Sequence, residues 1–200
     1  MIKQFVDILD SVDYHKLLDY SAGADIKWTY NPTTVGAQSR SETQGFMNQK
    51  DTDQFVCPVF NLGEVYDNFA FDFSQKIIAE VFYRLKIDDV YIGKIKINSL
   101  SNKLNVTVND HNGLHQDSSD SLSYSIVYYL NESDGDTFIY PSNSLYTAEN
   151  IKPERVTPKK NSCVLFNSDY WHASSNPIQA QRRLVLNILV KTQQPITASC

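Results

Sequence analysis

The chain has 200 residues, 42% hydrophobic and 20% charged. That length closes a hydrophobic core without metal or disulfide staples, and the composition excludes wholesale disorder and collagen-like chains. Acidic residues outnumber basic ones by 23 to 18, for a formal charge of −5, which argues against a broad basic face gripping long nucleic acid. Cys57, Cys163 and Cys200 form no CxxC or CxxxC pair, so neither a disulfide framework nor a zinc site is expected. No run approaches a membrane span, and acids scattered through the first twenty residues do not suit a signal or transit peptide. A cytoplasmic protein with no membrane partner is the expectation.

In chain order, residues 2–20 read as a helix, with Phe5, Ile8, Leu9 and Val12 on one stripe. Residues 23–64 sustain no period, and their Gly, Asn, Thr, Ser and Gln content predicts a loop region covering a site. A second helix follows, with Ser74 as its N-cap and Ile77, Ile78, Val81, Phe82 and Leu85 as its apolar stripe. The period then changes to two. Strands are expected at 91–98, 104–109, 122–130, 136–140, 154–157, 162–167 and 182–191, separated by turn signals such as Asn112-Gly113 and Asp134-Gly135. The pattern predicts one α+β, mainly β domain: a jelly roll over 91–191 with helices on the outer face of one sheet, supported and covered by residues 1–90.

The two longest strands each carry one apolar and one mixed face. Tyr124, Ile126 and Tyr128 alternate with Ser125, Val127 and Tyr129; Leu184, Leu186 and Ile188 alternate with Arg183, Val185 and Asn187. The apolar faces are expected against the helices and the mixed faces inside the roll. Polar groups there are costly unless they serve something bound.

His115-Gln116-Asp117 is an HxD triplet, and His172 follows the apolar strand at 162–167. In extended chain, residues i and i+2 point the same way, so His115 and Asp117 can reach one ion. Two imidazoles and a carboxylate on one face of an octahedral metal leave three positions open, the arrangement of non-haem Fe(II) oxygenases. HxD alone is a weak signal. The informative feature is the order: strand, HxD, strands, apolar strand, His, turn, Arg.

These residues, with Ser125-Ile126-Val127-Tyr128-Tyr129-Leu130-Asn131, Val164-Leu165-Phe166-Asn167 and Arg183-Leu184-Val185-Leu186-Asn187, make the chain resemble the Fe(II)/2-oxoglutarate-dependent dioxygenases, and among them the prolyl 4-hydroxylase-like group. The resemblance runs from about Tyr91 to Lys191 and implies a double-stranded β-helix. It implies His115, Asp117 and His172 as catalytic iron ligands, and Arg183, with Tyr129 and Thr137, as binders of the distal carboxylate of 2-oxoglutarate. Arg182 competes with Arg183 but shares the helix-side face. The turn before Thr137 reads Gly135-Asp136 where relatives carry a Gly-Gly type, and Val106 or Thr107 stands where many relatives place a further cosubstrate tyrosine. Trp171 and Asn187 are further candidates to line the site. The implied activity is hydroxylation coupled to decarboxylation of 2-oxoglutarate, with dioxygen as oxidant and ascorbate as an auxiliary reductant. A peptidyl proline is the implied substrate. The alternatives are a free amino acid, another small metabolite or a nucleobase under the same iron chemistry, a zinc hydrolase, and a jelly-roll binding module without turnover.

Overall fold

The structure is a computed structural model that describes residues 1–196, so Cys200 lies outside the described residues. In chain order its elements are β1 (Ile2–Val6), α1 (Ser11–Ala22), β2 (Thr29–Asn31), α2 (Ala37–Glu42), β3 (Gln54–Asn61), β4 (Glu64–Val65), α3 (Asn68–Leu85) and β5 (Val90–Ser101). Then come β6 (Ser123–Tyr129), β7 (Thr137–Tyr140), α4 (Leu145–Glu149), β8 (Glu154–Val156), β9 (Ser162–Asn167), β10 (Trp171–Ser174) and β11 (Arg182–Thr192).

Alternation along β6 and β11 decides the layering. Tyr124, Ile126, Tyr128, Leu184, Leu186 and Ile188 join Ile77, Ile78, Val81, Phe82 and Leu85 of α3 and Leu17 of α1 in one core cluster. Asp67 caps α3, its carboxylate accepting the Ala70 N–H at 2.9 Å, and Lys86 ends the helix in the left-handed conformation. The large sheet runs β1-β9-β6-β11-β5-β3-β2, with β4 on β3; a smaller sheet runs β10-β7-β8. Among the described residues the named strands all pair antiparallel. Val127, Tyr129, Val164, Phe166 and Val185 of the large sheet meet Ile139 and Val156 of the small one in a second core. This is the mainly β jelly roll with outer helices that the pattern anticipates. Among the described residues no helix is long and apolar enough to cross a membrane.

Four local expectations are corrected. Residues 2–6 form β1, paired along β9, and only Ser11–Ala22 is helical. Asp10 sets that start by accepting the Asp13 N–H, so Phe5 belongs to a strand and not to the helical stripe. Ser74 lies inside α3, its hydroxyl donating to the Ala70 carbonyl at 2.6 Å. Residues 104–109 form no strand: Leu104 is 99% exposed, and the Asp110 carboxylate accepts the Thr107 N–H and an ion pair from Lys50, closing a turn. The 23–64 segment is not a bare loop, because β3 sits within the large sheet beside β5. Pro58 hides that strand in the sequence; the register with β5 shifts between Pro58 and Phe60, as expected where a residue without an N–H interrupts a ladder.

Strand β11 is central, bonded to β5 on one edge and β6 on the other. Its outer side chain Leu186 is fully buried. Leu186→Ala is expected to cost about 2–5 kcal/mol, read as a lower denaturant midpoint with an unchanged slope.

Candidate metal centre

His115 and His172 meet through backbone first. Each N–H donates to the other's carbonyl at 3.0 Å, forming an isolated antiparallel bridge that brings strand β10 against the HxD segment. The two rings then lie 4.3 Å apart between centroids. Asp117, two residues on, points the same way, and its backbone N–H donates to the Ser168 carbonyl at 3.0 Å. One Nε2 or carboxylate oxygen from each of His115, Asp117 and His172 lies within 4.8 Å of the others. Nε2 of His172 is 3.4 Å, and Nε2 of His115 3.8 Å, from the carboxylate of Asp117.

The surroundings fix the donor atoms. Nδ1 of His115 faces the Gly113 carbonyl at 3.2 Å, and Nδ1 of His172 faces the Tyr170 carbonyl at 2.9 Å. A carbonyl only accepts, so each Nδ1 carries the proton and each Nε2 keeps a free lone pair aimed at the shared point. The Ser125 hydroxyl donates to one Asp117 oxygen at 2.6 Å. Phe166 packs edge-on against His172, with centroids 4.8 Å apart. The set can hold one divalent ion on one face and offers no fourth His, Cys, Asp or Glu among the described residues.

A second constellation lies deeper. Arg183 is 3% exposed, and its Nη2 donates to the Thr137 hydroxyl at 2.8 Å. Tyr129 shares a 2.8 Å hydrogen bond with the same hydroxyl, and the guanidinium stands 5.8 Å from the Tyr129 ring centre. The nearest acid, Asp136, is already engaged by Arg155 at 2.7 Å. Among the described residues Nε of Arg183 has no partner. A buried guanidinium without a carboxylate is a costly arrangement that a bound anion relieves. Burial pushes the Tyr129 phenol up to about 12, so it stays protonated and able to donate. Gly135 makes room: a Cβ there would stand 2.6 Å from the Ser175 carbonyl oxygen and 3.1 Å from Cδ of Arg183. Arg182 is exposed on the other face.

Arg183, Thr137, His115, Asp117 and His172, together with Lys96, line one narrow cavity. The donor set fits a divalent metal, and the unpartnered Arg183 fits a carboxylate-bearing cosubstrate. Asn187 also lines this cavity, whereas Trp171 points into the core around the small sheet. Val106 and Thr107 lie in the turn region and not on a strand facing the site. His111 is buried apart from the cluster, against Tyr140, and His15 lies exposed on α1. Ser125, Lys96, Asn98 and Gln54 are the site neighbours that motif reading passed over. For Ser125, Lys96 and Asn98 the signal is the two-residue period of β5 and β6, which places them on the same inner face as Arg183 and Asn187; Gln54 stands on β3 and accepts a hydrogen bond from Asn98.

Burial first, and then the neighbouring His172, lowers the His115 pKa from 6.5 to about 3. Asp117 sits well below the usual carboxylate range, because the adjacent imidazoles outweigh the opposing effect of burial. The folded metal-free protein thus refuses at His115 a proton that the unfolded chain accepts below about pH 6.5. Its stability is expected to fall as pH drops from 6.5 toward 3, and His115→Gln should flatten that fall. Denaturant midpoints collected across this range check it; parallel pH profiles for the two proteins contradict it.

The sequence matches the 2OG-Fe(II) oxygenase superfamily family model over residues 102–191. No curated protein matches the chain. Among solved structures, a 2OG-Fe(II) oxygenase family oxidoreductase from Burkholderia pseudomallei superposes with a TM-score of 0.64 at 12% identity, covering 95% of this chain and 84% of its own. The epimerase SnoN from nogalamycin biosynthesis gives 0.61 at 12% identity, with 96% and 78% covered. A prolyl-4-hydroxylase from Pseudomonas putida gives 0.54 at 16% identity, with 96% and 92% covered. The jelly roll, the family match over residues 102–191 and the His-Asp-His cluster are together the features of an iron- and 2-oxoglutarate-dependent oxygenase.

Proposed function

We propose that His115, Asp117 and His172 bind Fe(II), that Arg183 with Thr137 and Tyr129 binds the distal carboxylate of 2-oxoglutarate, and that the enzyme hydroxylates a proline held in a peptide. The observation that carries the cosubstrate assignment is the buried Arg183, without a carboxylate partner, in the same cavity as the three donors. Its planar fork suits bidentate binding of a carboxylate. Bound iron and 2-oxoglutarate supply the oxidising chemistry toward dioxygen. The chain's own groups supply position. The Gly113 and Tyr170 carbonyls hold both imidazoles in the ligating tautomer, and Ser125 holds one Asp117 oxygen so that the other is free to turn to the metal. Val127 and Leu100 line the cavity and keep it partly dry.

Two observations support a peptidyl substrate. A groove lined by Pro32, Pro58, Phe60 and Tyr66 shares Thr34, Gln54 and Lys96 with the cavity, giving an extended chain a path to the metal. The Pseudomonas putida prolyl-4-hydroxylase also shares the fold over most of both chains. A small-molecule substrate is the second reading, favoured by the narrowness of the cavity itself and by the fold shared with the epimerase SnoN.

Anaerobic protein given Fe(II) and 2-oxoglutarate is expected to develop the weak visible absorption of the chelate, and His172→Ala to abolish it. Arg183→Met should raise the 2-oxoglutarate KM by about ten- to a hundredfold, the loss of a charge-assisted hydrogen-bond pair. Arg182→Met should leave it unchanged; the reverse ranking overturns the assignment. Gly135→Ala, which crowds Cδ of Arg183, should also weaken 2-oxoglutarate binding while the His-Asp-His cluster still takes up iron. Proline peptides incubated in air should gain one oxygen atom by mass spectrometry; conversion of free small molecules alone would transfer the activity to the second reading.

A further inference from the structure

The chain is acidic as a whole, yet its reaction site is not. The cavity holds Lys96 and Arg183, and Lys94 joins Lys96 along the two grooves that open from it. Asp117 is the sole acidic residue among the described residues lining these three spaces, and its carboxylate belongs to the metal cluster. Lys94 and Lys96 stand two residues apart on β5 and therefore share its inner face. Lys96 sits opposite Asn187 on one side and Pro58 on the other. Among the described residues, no carboxylate lies within ion-pair distance of either lysine.

Arg183 and Lys96 mark opposite ends of the site. Arg183 pairs with Leu100, and Asn187 pairs with Lys96, four positions further along the ladder, about 13 Å at the rise of an antiparallel strand. One anion, the distal carboxylate of 2-oxoglutarate, satisfies the deep end. The outer end, next to the metal cluster and open to both grooves, keeps a partly buried cation whose acidic neighbour in the cavity, Asp117, lies beyond ion-pair distance and belongs to the metal cluster. Such a cation is costly in isolation and is stabilised by an incoming anion.

We propose that Lys96, backed by Lys94 at the mouth, binds a carboxylate of the substrate, so that this enzyme selects an anionic substrate. The carboxylate comes either from an acidic side chain beside the target in a peptide or from the free α-carboxylate of a small acid. The proposal rests on the reading of the site as an iron and 2-oxoglutarate centre, and does not require the target to be proline.

The test uses anaerobic protein loaded with Fe(II) and 2-oxoglutarate, with paired probes that differ only by carboxylate against carboxamide. One pair is a terminally blocked proline peptide with Glu or Gln beside the proline; the other is free proline and prolinamide. Binding is read as a perturbation of the chelate absorption, and succinate release is then followed in air. In one pair the carboxylate member is expected to bind about ten- to a hundredfold more tightly, the worth of a charge-assisted contact; which pair responds identifies the source. Lys96→Met should erase the preference while 2-oxoglutarate affinity holds, Lys96→Arg should restore it, and Lys94→Met should weaken it less. Equal binding within both pairs, or no binding by either carboxylate, overturns the proposal. Loss of 2-oxoglutarate binding in Lys96→Met also overturns it, by making Lys96 a cosubstrate ligand. If the unaltered protein never develops the chelate absorption, it is the iron and 2-oxoglutarate reading that fails.

Discussion

The reciprocal backbone pair between His115 and His172 is the contact on which the site depends. Two N–H···O bonds of 3.0 Å fix two segments that are distant in sequence, and they fix them with both imidazoles on one side. Once that bridge exists, little else is needed. The i, i+2 geometry of extended chain brings Asp117 to the same point, and carbonyls at Gly113 and Tyr170 impose the tautomer. The cluster is thus a consequence of strand pairing more than of side-chain packing. It sits on a jelly roll whose large sheet, braced by α1 and α3, keeps the approach of the two segments from varying.

That bracing explains why polar groups can be placed inside the roll at all. Strands β5, β6 and β11 of the large sheet present apolar side chains to the helices and a mixed set to the interior. The outer face builds the main core, with Leu186, Ile126 and Ile188 almost wholly excluded from water. Stability resides there and in the second core around Phe166 and Val164. The inner face is therefore free to hold Arg183, Asn98, Asn187 and Lys96, groups that lower stability when nothing is bound. Among the described residues, Nε of Arg183 has no partner and Lys96 no carboxylate within ion-pair distance, which is why this face is read as one for ligands.

The same division decided what could be read in the sequence. Strands with one clean apolar face, β6 and β11, declare themselves by period, and with them the inward direction of Arg183, Tyr129 and Asn187. The HxD and the later His are legible because i, i+2 spacing carries geometry. Strand β3 is not legible: Pro58 breaks its alternation, and its inner face is made of Gln54, Val56 and Pro58, which read as loop. Strand β1 is hidden because Phe5, Ile8 and Leu9 satisfy a helical spacing that the Asp10 cap cuts short. Residues 104–109 show the opposite failure. Leu104 and Val108 alternate correctly but point to water, since Asp110 and Lys50 tie the segment into a turn. Lys96 is hidden for a related reason: a lysine in a strand reads as a solvent-facing residue until its neighbours across the ladder, Asn187 and Pro58, show that it faces the cavity.

Charge placement is what distinguishes this interior from a generic jelly roll. Inside a chain of net negative charge, the cationic pocket attracts anions locally and holds them where screening is weak. The deep cation is a guanidinium, rigid and forked, held by Thr137 and given space by Gly135. The outer cations are lysines on flexible stems, better suited to follow a ligand whose position varies. A fixed clamp for the constant reactant and an adaptable one for the exchanged reactant is a division that the residue types themselves express. It also sets an order. While the deep site is empty, Arg183 and Lys96 both attract the first carboxylate that enters. With Arg183 taken up by one carboxylate, Lys96 and Lys94 would be the cations left to attract a second, and they lie on the side of the cavity next to the His-Asp-His cluster.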